Sequence, residues 1–170
     1  MLQVEILNDV NENFINDITD IDRKSIPLSW ECLDFKEYFC NEKNQGFILK
    51  DSGKMVGYLL AGPHNDAKDR LKDDDPEMLE DESRYYIESV AIHPSYRGIK
   101  GFNMLKGMLF KALNKQGICK ISMHASNKLS GIMRKLVKVT QKRTIDRWPY
   151  YNKEESTDYI EADISGGGNG

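Results

Sequence analysis

Polar and apolar residues alternate in QVEIL (3–7), the period of a half-buried strand. The period then changes: Phe14, Ile15, Ile18 and Ile21 recur at helical spacing between Asn13 and Ile26, and Pro27 ends that pattern. Ser29 is the expected N-cap of a second helix, whose apolar faces carry Trp30, Leu33, Phe35, Tyr38 and Phe39. GFILKDSGKMVGYLLAG (46–62) reads as a hairpin, with two apolar runs flanking Asp51-Ser52-Gly53. A long polar connection is expected from Pro63 to about Ser83. Beyond it, YYIESVAI (85–92) predicts a strand and FNMLKGMLFKALNK (102–115) a helix that Gly117 ends. ICKISMHA (118–125) predicts a strand, and NKLSGIMRKLVK (127–138) a short helix that Asn127 would cap. TQKRTID (140–146) and TDYIEADI (157–164) predict a closing hairpin. The order β-αα-βββ-α-β-α-ββ, without internal repeat, predicts a mixed α/β sheet with helices packed against it. One domain is expected over 1–164, followed by a flexible glycine-rich tail, SGGGNG (165–170).

Composition narrows the function classes. A chain of 170 residues with 39% hydrophobic and 30% charged residues can bury a continuous core. The net charge of −3 gives no reason to expect nucleic acid, although KLVKVTQKR (135–143) is locally basic. No apolar run approaches the roughly 20 residues that cross a bilayer, and MLQVEILNDV lacks the plan of a signal peptide. Cys32, Cys40 and Cys119 are odd in number and lack C-x-x-C spacing, so free thiols in a reducing cytoplasm are expected. His64, His93 and His124 share no ligand spacing, and no metal site is expected.

The stretch YYIESVAIHPSYRGIKGFNMLKGML (85–109) carries the candidate chemistry. A strand that turns through glycine into a helix leaves the first helical N–H groups without partners, and those donors favour an anion such as a phosphate or pyrophosphate. Gly98 and Gly101 would let backbone approach a ligand closely, and Arg97 and Lys100 add positive charge. A plain turn that needs glycine for its geometry fits the same spacing. The pattern is neither G-x-G-x-x-G nor a Walker loop.

SVAIHPSYRGIKGFNML (89–105) resembles the acetyl-CoA signature of the GNAT N-acetyltransferase superfamily. SIPLSWECLDFKEYF (25–39) is similar to the first helix pair of the protein N-terminal acetyltransferases, and DSGKMVGYLLAG (51–62) to their second hairpin. HASNKLSGIMRKL (124–136) resembles the step in which an Asn follows the fifth strand. The resemblance covers 3–164 and implies a mostly antiparallel twisted sheet, splayed between its fourth and fifth strands. It implies acetyl-CoA as cofactor. Val90, Ala91 and Ile92 would give backbone contacts to its pantetheine arm, and the backbone of Gly98, Ile99, Lys100, Gly101, Phe102 and Asn103 would cradle its pyrophosphate beside Arg97. Asn127 would reach the cofactor from the splayed gap, or serve only as an N-cap. The chain also departs from the family. Its loop holds one extra residue after Arg97, Arg134 stands where a tyrosine is common, and Ser122 where one branch carries a carboxylate base. Val137-Lys138-Val139 replaces the Leu-Gly-Phe ending of that branch, so neither catalytic residue carries over.

Acetyl transfer to a primary amine needs a base, because an alkyl ammonium has a pKa near ~10. Glu88, on the strand of the implied pantetheine contacts, is the candidate base. A backbone N–H near Ala91 or Ile92 would steady the thioester oxygen. Tyr150 and Tyr151 are candidate acids for the departing thiolate, each with rim packing as its alternative role. KDDDPEMLEDES (72–83) carries seven acids and one base, the composition of a solvated loop. As an acidic lip it would draw an amine acceptor such as a polyamine or a cationic protein. Two functions therefore stand: an acetyl-CoA-dependent N-acetyltransferase, and a catalytically inactive module of the same fold acting through a protein partner.

Overall fold

The computed structural model describes residues 1–8, 10–26, 29–150 and 156–166, with the side chain of Ile99 left aside. The described elements are β1 (Leu2–Ile6), α1 (Glu12–Ser25), α2 (Cys32–Phe39), β2 (Gln45–Asp51), β3 (Lys54–Pro63), α3 (His64–Leu71) and β4 (Arg84–Ile92). A 3₁₀ turn at Pro94–Tyr96 leads to α4 (Ile99–Lys115), β5 (Lys120–Ser126), α5 (Asn127–Leu136), β6 (Lys138–Ile145) and β7 (Thr157–Asp163). The sheet order is β1-β2-β3-β4-β5-β7-β6. The pairs β1–β2, β2–β3, β5–β7 and β6–β7 are antiparallel. β4 and β5 run parallel and pair only from Arg84–Lys120 to Tyr86–Ser122, where the ladder ends. The expected mixed sheet, interrupted between its fourth and fifth strands, is the fold.

Three local expectations are corrected. Glu31, not Ser29, caps α2: its side chain and that of Asp34 form a capping box, with Glu31 N–H donating to Asp34 at 2.7 Å. Trp30 N–H is meanwhile committed to the Asp22 carboxylate at 2.6 Å, which holds the chain ahead of the helix. The polar connection after β3 contains the helix α3, whose His64, Ala67 and Leu71 are buried while basic residues fill its last turn. Ser126, not Asn127, caps α5, accepting from Leu129 N–H at 3.4 Å.

The chain divides into two compact units, one of Met1–Ala61 with Ser89–Leu109, the other of Gly62–Glu88 with Phe110–Gly170. In the first, Asn11 caps α1 through Phe14 N–H at 3.0 Å, and the helix turns Phe14, Ile15, Ile18 and Ile21 into a core with Phe35, Tyr58 and Leu60. Ser52 (φ 50°) and Gly53 (φ 83°) make the tight β2–β3 turn, the two-residue form that matches strand twist. In the second, Ala67, Leu71, Met78, Tyr86, Trp148 and Tyr159 form the core. β6 is the outermost strand beside β7, with an irregularity between Val139 and Gln141.

Gly57 matters for the first unit. A Cβ there would lie 2.9 Å from Ala91 O and 3.1 Å from Ile92 Cγ1, so only glycine lets β3 and β4 approach this closely. Gly57→Ala is expected to cost about 1–3 kcal/mol of stability, read from the urea midpoint at unchanged slope.

Candidate active site

In the first unit, the strand-to-helix corner is built from short-range bonds. Tyr96 N–H donates to His93 O at 2.8 Å, Arg97 N–H to Pro94 O at 3.4 Å, and His93 Nδ1 accepts from Ser95 N–H at 3.3 Å. Arg97, Gly98 and Lys100 are exposed. Gly98 has a φ of 157°, and a Cβ added there would meet nothing within 4 Å, so the corner opens outward. Helix α4 then starts, and its first N–H groups have no intrahelical acceptor. Two of these residues also have partners within the protein. Gly101 serves packing as well, because a Cβ there would sit 2.9 Å from Leu49 Cδ2 and 3.3 Å from Ile92 Cδ1. Arg97 donates from Nη2 to Ser25 O at 3.3 Å, which commits part of its guanidinium to α1.

His93 N–H donates to Val56 O on β3 at 2.8 Å, and Ala91 O lies against Gly57. Strand alternation therefore turns the N–H and C=O groups of Val90 and Ile92 away from β3. Ile92 O accepts Ser25 Oγ–H at 3.2 Å, which leaves the Val90 groups and Ile92 N–H as the donors and acceptor facing that side. The Ala91 N–H is turned toward β3, so of the two amides considered for an oxyanion, Ile92 is the suitable one. Phe102 is buried in the core. Asn103, in the first turns of α4, has a buried Oδ1 with no hydrogen-bond partner among the described residues. An orphaned acceptor costs free energy unless a ligand or water supplies a donor. The corner thus suits a ligand that presents an anion beside an N–H or O–H.

In the second unit, Glu88 closes on Arg70 of α3, whose Nη2 lies 2.6 Å from each carboxylate oxygen. The Glu88 side chain is 10% exposed and that of Arg70 48%. Burial pushes the Glu88 carboxyl above the usual carboxylate range, with Arg70 opposing that rise. Tyr150 O–H donates to Asp74 at 3.1 Å, and burial followed by Asp74 pushes the phenol upward. Its proton is committed, which weakens it as an acid. Tyr151 lies outside the described residues, as do residues 167–170 of the tail. Asn127 is exposed and donates from Nδ2 to Ser156 Oγ at 3.2 Å, at one end of a shallow depression along α5 that Lys128, Arg134 and Lys135 make basic.

The acidic run is only partly solvated: Asp73, Glu77, Glu80 and Glu82 are exposed, whereas one of its acids turns inward. Asp75 is buried, accepting from His124 Nε2–H at 2.9 Å and Arg143 Nη2–H at 2.7 Å. Burial alone would raise Asp75, but these two partners outweigh it and hold the carboxyl at about 2. His124 Nδ1 accepts from Tyr86 O–H at 2.7 Å, and its ring stacks on Trp148 at 3.8 Å. Glu77 pairs with Arg143, Glu80 with Lys68, and Asp81 with Arg84 and Lys120. Buried His64 clamps the same segment, with Nε2–H donating to Leu79 O at 2.9 Å while Nδ1 accepts Ser122 Oγ–H at 2.6 Å. Sequence reasoning misses Arg70, Asp75 and His124 as partners, because each pairing joins residues far apart in the chain. The one visible signal is His124 on β5 and Arg143 on β6, strands that are otherwise apolar or alternating.

The acetyltransferase (GNAT) family model matches residues 15–138. No curated protein matches the chain in sequence. Among solved structures, the ribosomal-protein-S18-alanine N-acetyltransferase from Escherichia coli is similar in fold, with a TM-score of 0.71 at 15% identity over 99% of this chain and 97% of that one. NAA60 of Arabidopsis thaliana in complex with acetyl-CoA gives 0.69 at 14% identity, over 98% of this chain and 100% of that one. Aminoglycoside 6'-acetyltransferase type Ii gives 0.70 at 12% identity, over 95% and 97%.

Proposed function

Given that the chain belongs to the acetyltransferase (GNAT) family, we propose that residues 1–164 form one catalytic domain that transfers an acetyl group from acetyl-CoA to a primary amine within a ternary complex. The setting proposed is the cytoplasm, where its free cysteines stay reduced. The observation that carries this reading is the corner after Pro94: the first N–H groups of α4 beside exposed Arg97 and Lys100, an open Gly98 and the orphaned Asn103 Oδ1. Bound acetyl-CoA would supply an activated acyl thioester. The backbone from Gly98 to Asn103 would hold the pyrophosphate, with Lys100 and the remaining Arg97 donors adding charge. Asn103 Oδ1 would accept from a cofactor N–H or O–H. Val90 would offer its backbone to the extended arm, and Ile92 N–H would be the donor for the acyl oxygen. Glu88 takes the proton from the acceptor ammonium, and its burial brings its affinity for that proton nearer the working pH.

A second reading, a non-catalytic module acting through a partner, draws on the occupied proton carriers: Glu88 is held by Arg70, and Tyr150 O–H by Asp74. Calorimetry separates the two. Acetyl-CoA is expected to bind the wild type. Asn103→Leu is expected to weaken binding about 5-fold, the worth of one hydrogen bond, while stabilising the free protein by about 1–3 kcal/mol because a buried unsatisfied oxygen is gone. No heat of binding at millimolar acetyl-CoA would overturn the enzymatic reading.

A further inference from the structure

The contact that occupies Glu88 leaves its chemistry open. Arg70 Nη2 lies 2.6 Å from each Glu88 oxygen, and among the described residues nothing else bonds to that carboxylate. Each oxygen has two lone pairs, so one contact apiece leaves an acceptor direction free on both. Arg70 does not take the proton itself, because a guanidinium stays charged at any working pH. Charged and titratable groups face the pair from three elements. Helix α3 contributes Asp66 beside Arg70, and β4 contributes Tyr86 on the same face as Glu88. Tyr150, held by Asp74, comes from the segment after β6. Burial and Asp66 favour the neutral carboxyl, and Arg70 is the one described group that favours the carboxylate. The Glu88 side chain is only 10% exposed, so solvent stabilises its charge weakly.

Without the guanidinium, a buried carboxyl would have no opposite charge beside it and would stay protonated to higher pH. A base that already carries its proton accepts nothing. We propose that Arg70 is a positioning residue for acetyl transfer: its Nη2 aims the Glu88 carboxylate and keeps it ionised until it takes the acceptor's proton. In that step an N–H bond of the ammonium breaks and an O–H bond forms on a free lone pair of Glu88, while Arg70 keeps all its protons. Arg70 stands in the last turn of α3 with its side chain 48% exposed, so water can solvate the guanidinium once Glu88 is neutral. The inference rests on the enzymatic reading above, and it names what keeps the base of that site competent.

The test uses the full chain and two readouts. Carboxyl-carbon NMR of glutamate-labelled protein follows Glu88, whose resonance is the one missing from Glu88→Gln. Arg70→Gln is expected to move its titration midpoint to higher pH. Arg70→Met should repeat that shift, and Arg70→Lys should keep the midpoint nearer the wild type; melting curves check that the variants fold. Thiol release at saturating acetyl-CoA is then measured from pH 6 to 9 with a lysine-bearing peptide, spermidine and an aminoglycoside. The loss of kcat/KM in Arg70→Gln, taken against wild type at the same pH, is expected to be about 10-fold greater at pH 6 than at pH 9, because raising pH restores the carboxylate. A merely structural role would lower the rate equally at both. An unmoved midpoint, or a rate loss that is the same at every pH, overturns the inference and leaves the enzymatic reading standing. Failure of the wild type to bind acetyl-CoA, or to turn over any of these amines, overturns both.

Discussion

Glu88→Gln is expected to lower kcat for amine acetylation by about 10²–10⁴-fold, the usual worth of a positioned base, while acetyl-CoA still binds. Gln keeps the shape and can still accept from Arg70, so what is lost is the proton acceptor. The thermal midpoint should hold or rise. Burial lifts the Glu88 carboxyl above its ordinary value, so the folded state favours the protonated form, and ionisation at neutral pH works against folding. A neutral isostere removes that opposition. The same shift fixes the sign of the pH profile. The base acts only when deprotonated, so kcat/KM falls as pH drops through the raised value, and the acid limb should lie above the ordinary carboxylate range. Thiol release from pH 5 to 9 reads it, and an unchanged kcat in Glu88→Gln would remove Glu88 from the chemistry.

Asp75→Ala is expected to be the most destabilising single change, by about 3–5 kcal/mol in urea unfolding, because it leaves Arg143 and His124 without the carboxylate they share. Asp75→Asn should cost less, since an amide oxygen can still accept from one of them. The wild-type pH dependence follows in two stages. His124 and His64 are both lowered by burial, so the unfolded chain binds protons more readily below about 6.5, and stability starts to fall there. Asp75, held at about 2 against an ordinary 3.8, contributes stability that is complete above 3.8 and is lost as pH falls toward 2. That window is worth about 2 kcal/mol. A loop that were merely solvated would show neither the mutational loss nor the second stage.

What is legible in the chain depends on how local its cause is. Periodicity finds the seven strands and the helices α1, α2, α4 and α5, because each rests on its own apolar stripe. The Asp51-Ser52-Gly53 turn is readable because φ > 0 demands particular residues. α3 escapes because its buried face is only His64, Ala67 and Leu71, and the imidazole becomes apolar-compatible only through two distant hydrogen bonds. Ser29 and Asn127 look like caps as well as Glu31 and Ser126 do; which residue caps is decided by Asp22 holding Trp30 in one case and by one residue of register in the other. Gly101 shows the same ambiguity, since a glycine for ligand approach and a glycine for helix packing are one letter. The partners of Asp75 and Glu88 are the least legible, because charge runs carry no record of which bases the fold returns to them.

The outermost strand has its own consequence. β6 carries Lys138 and Lys142 beside the irregular step at Val139, and its outer row of amides and carbonyls would otherwise template a second chain. Charge and a broken repeat make that border a poor mould for fibril growth, so the molecule can leave a sheet margin uncovered without inviting stacking.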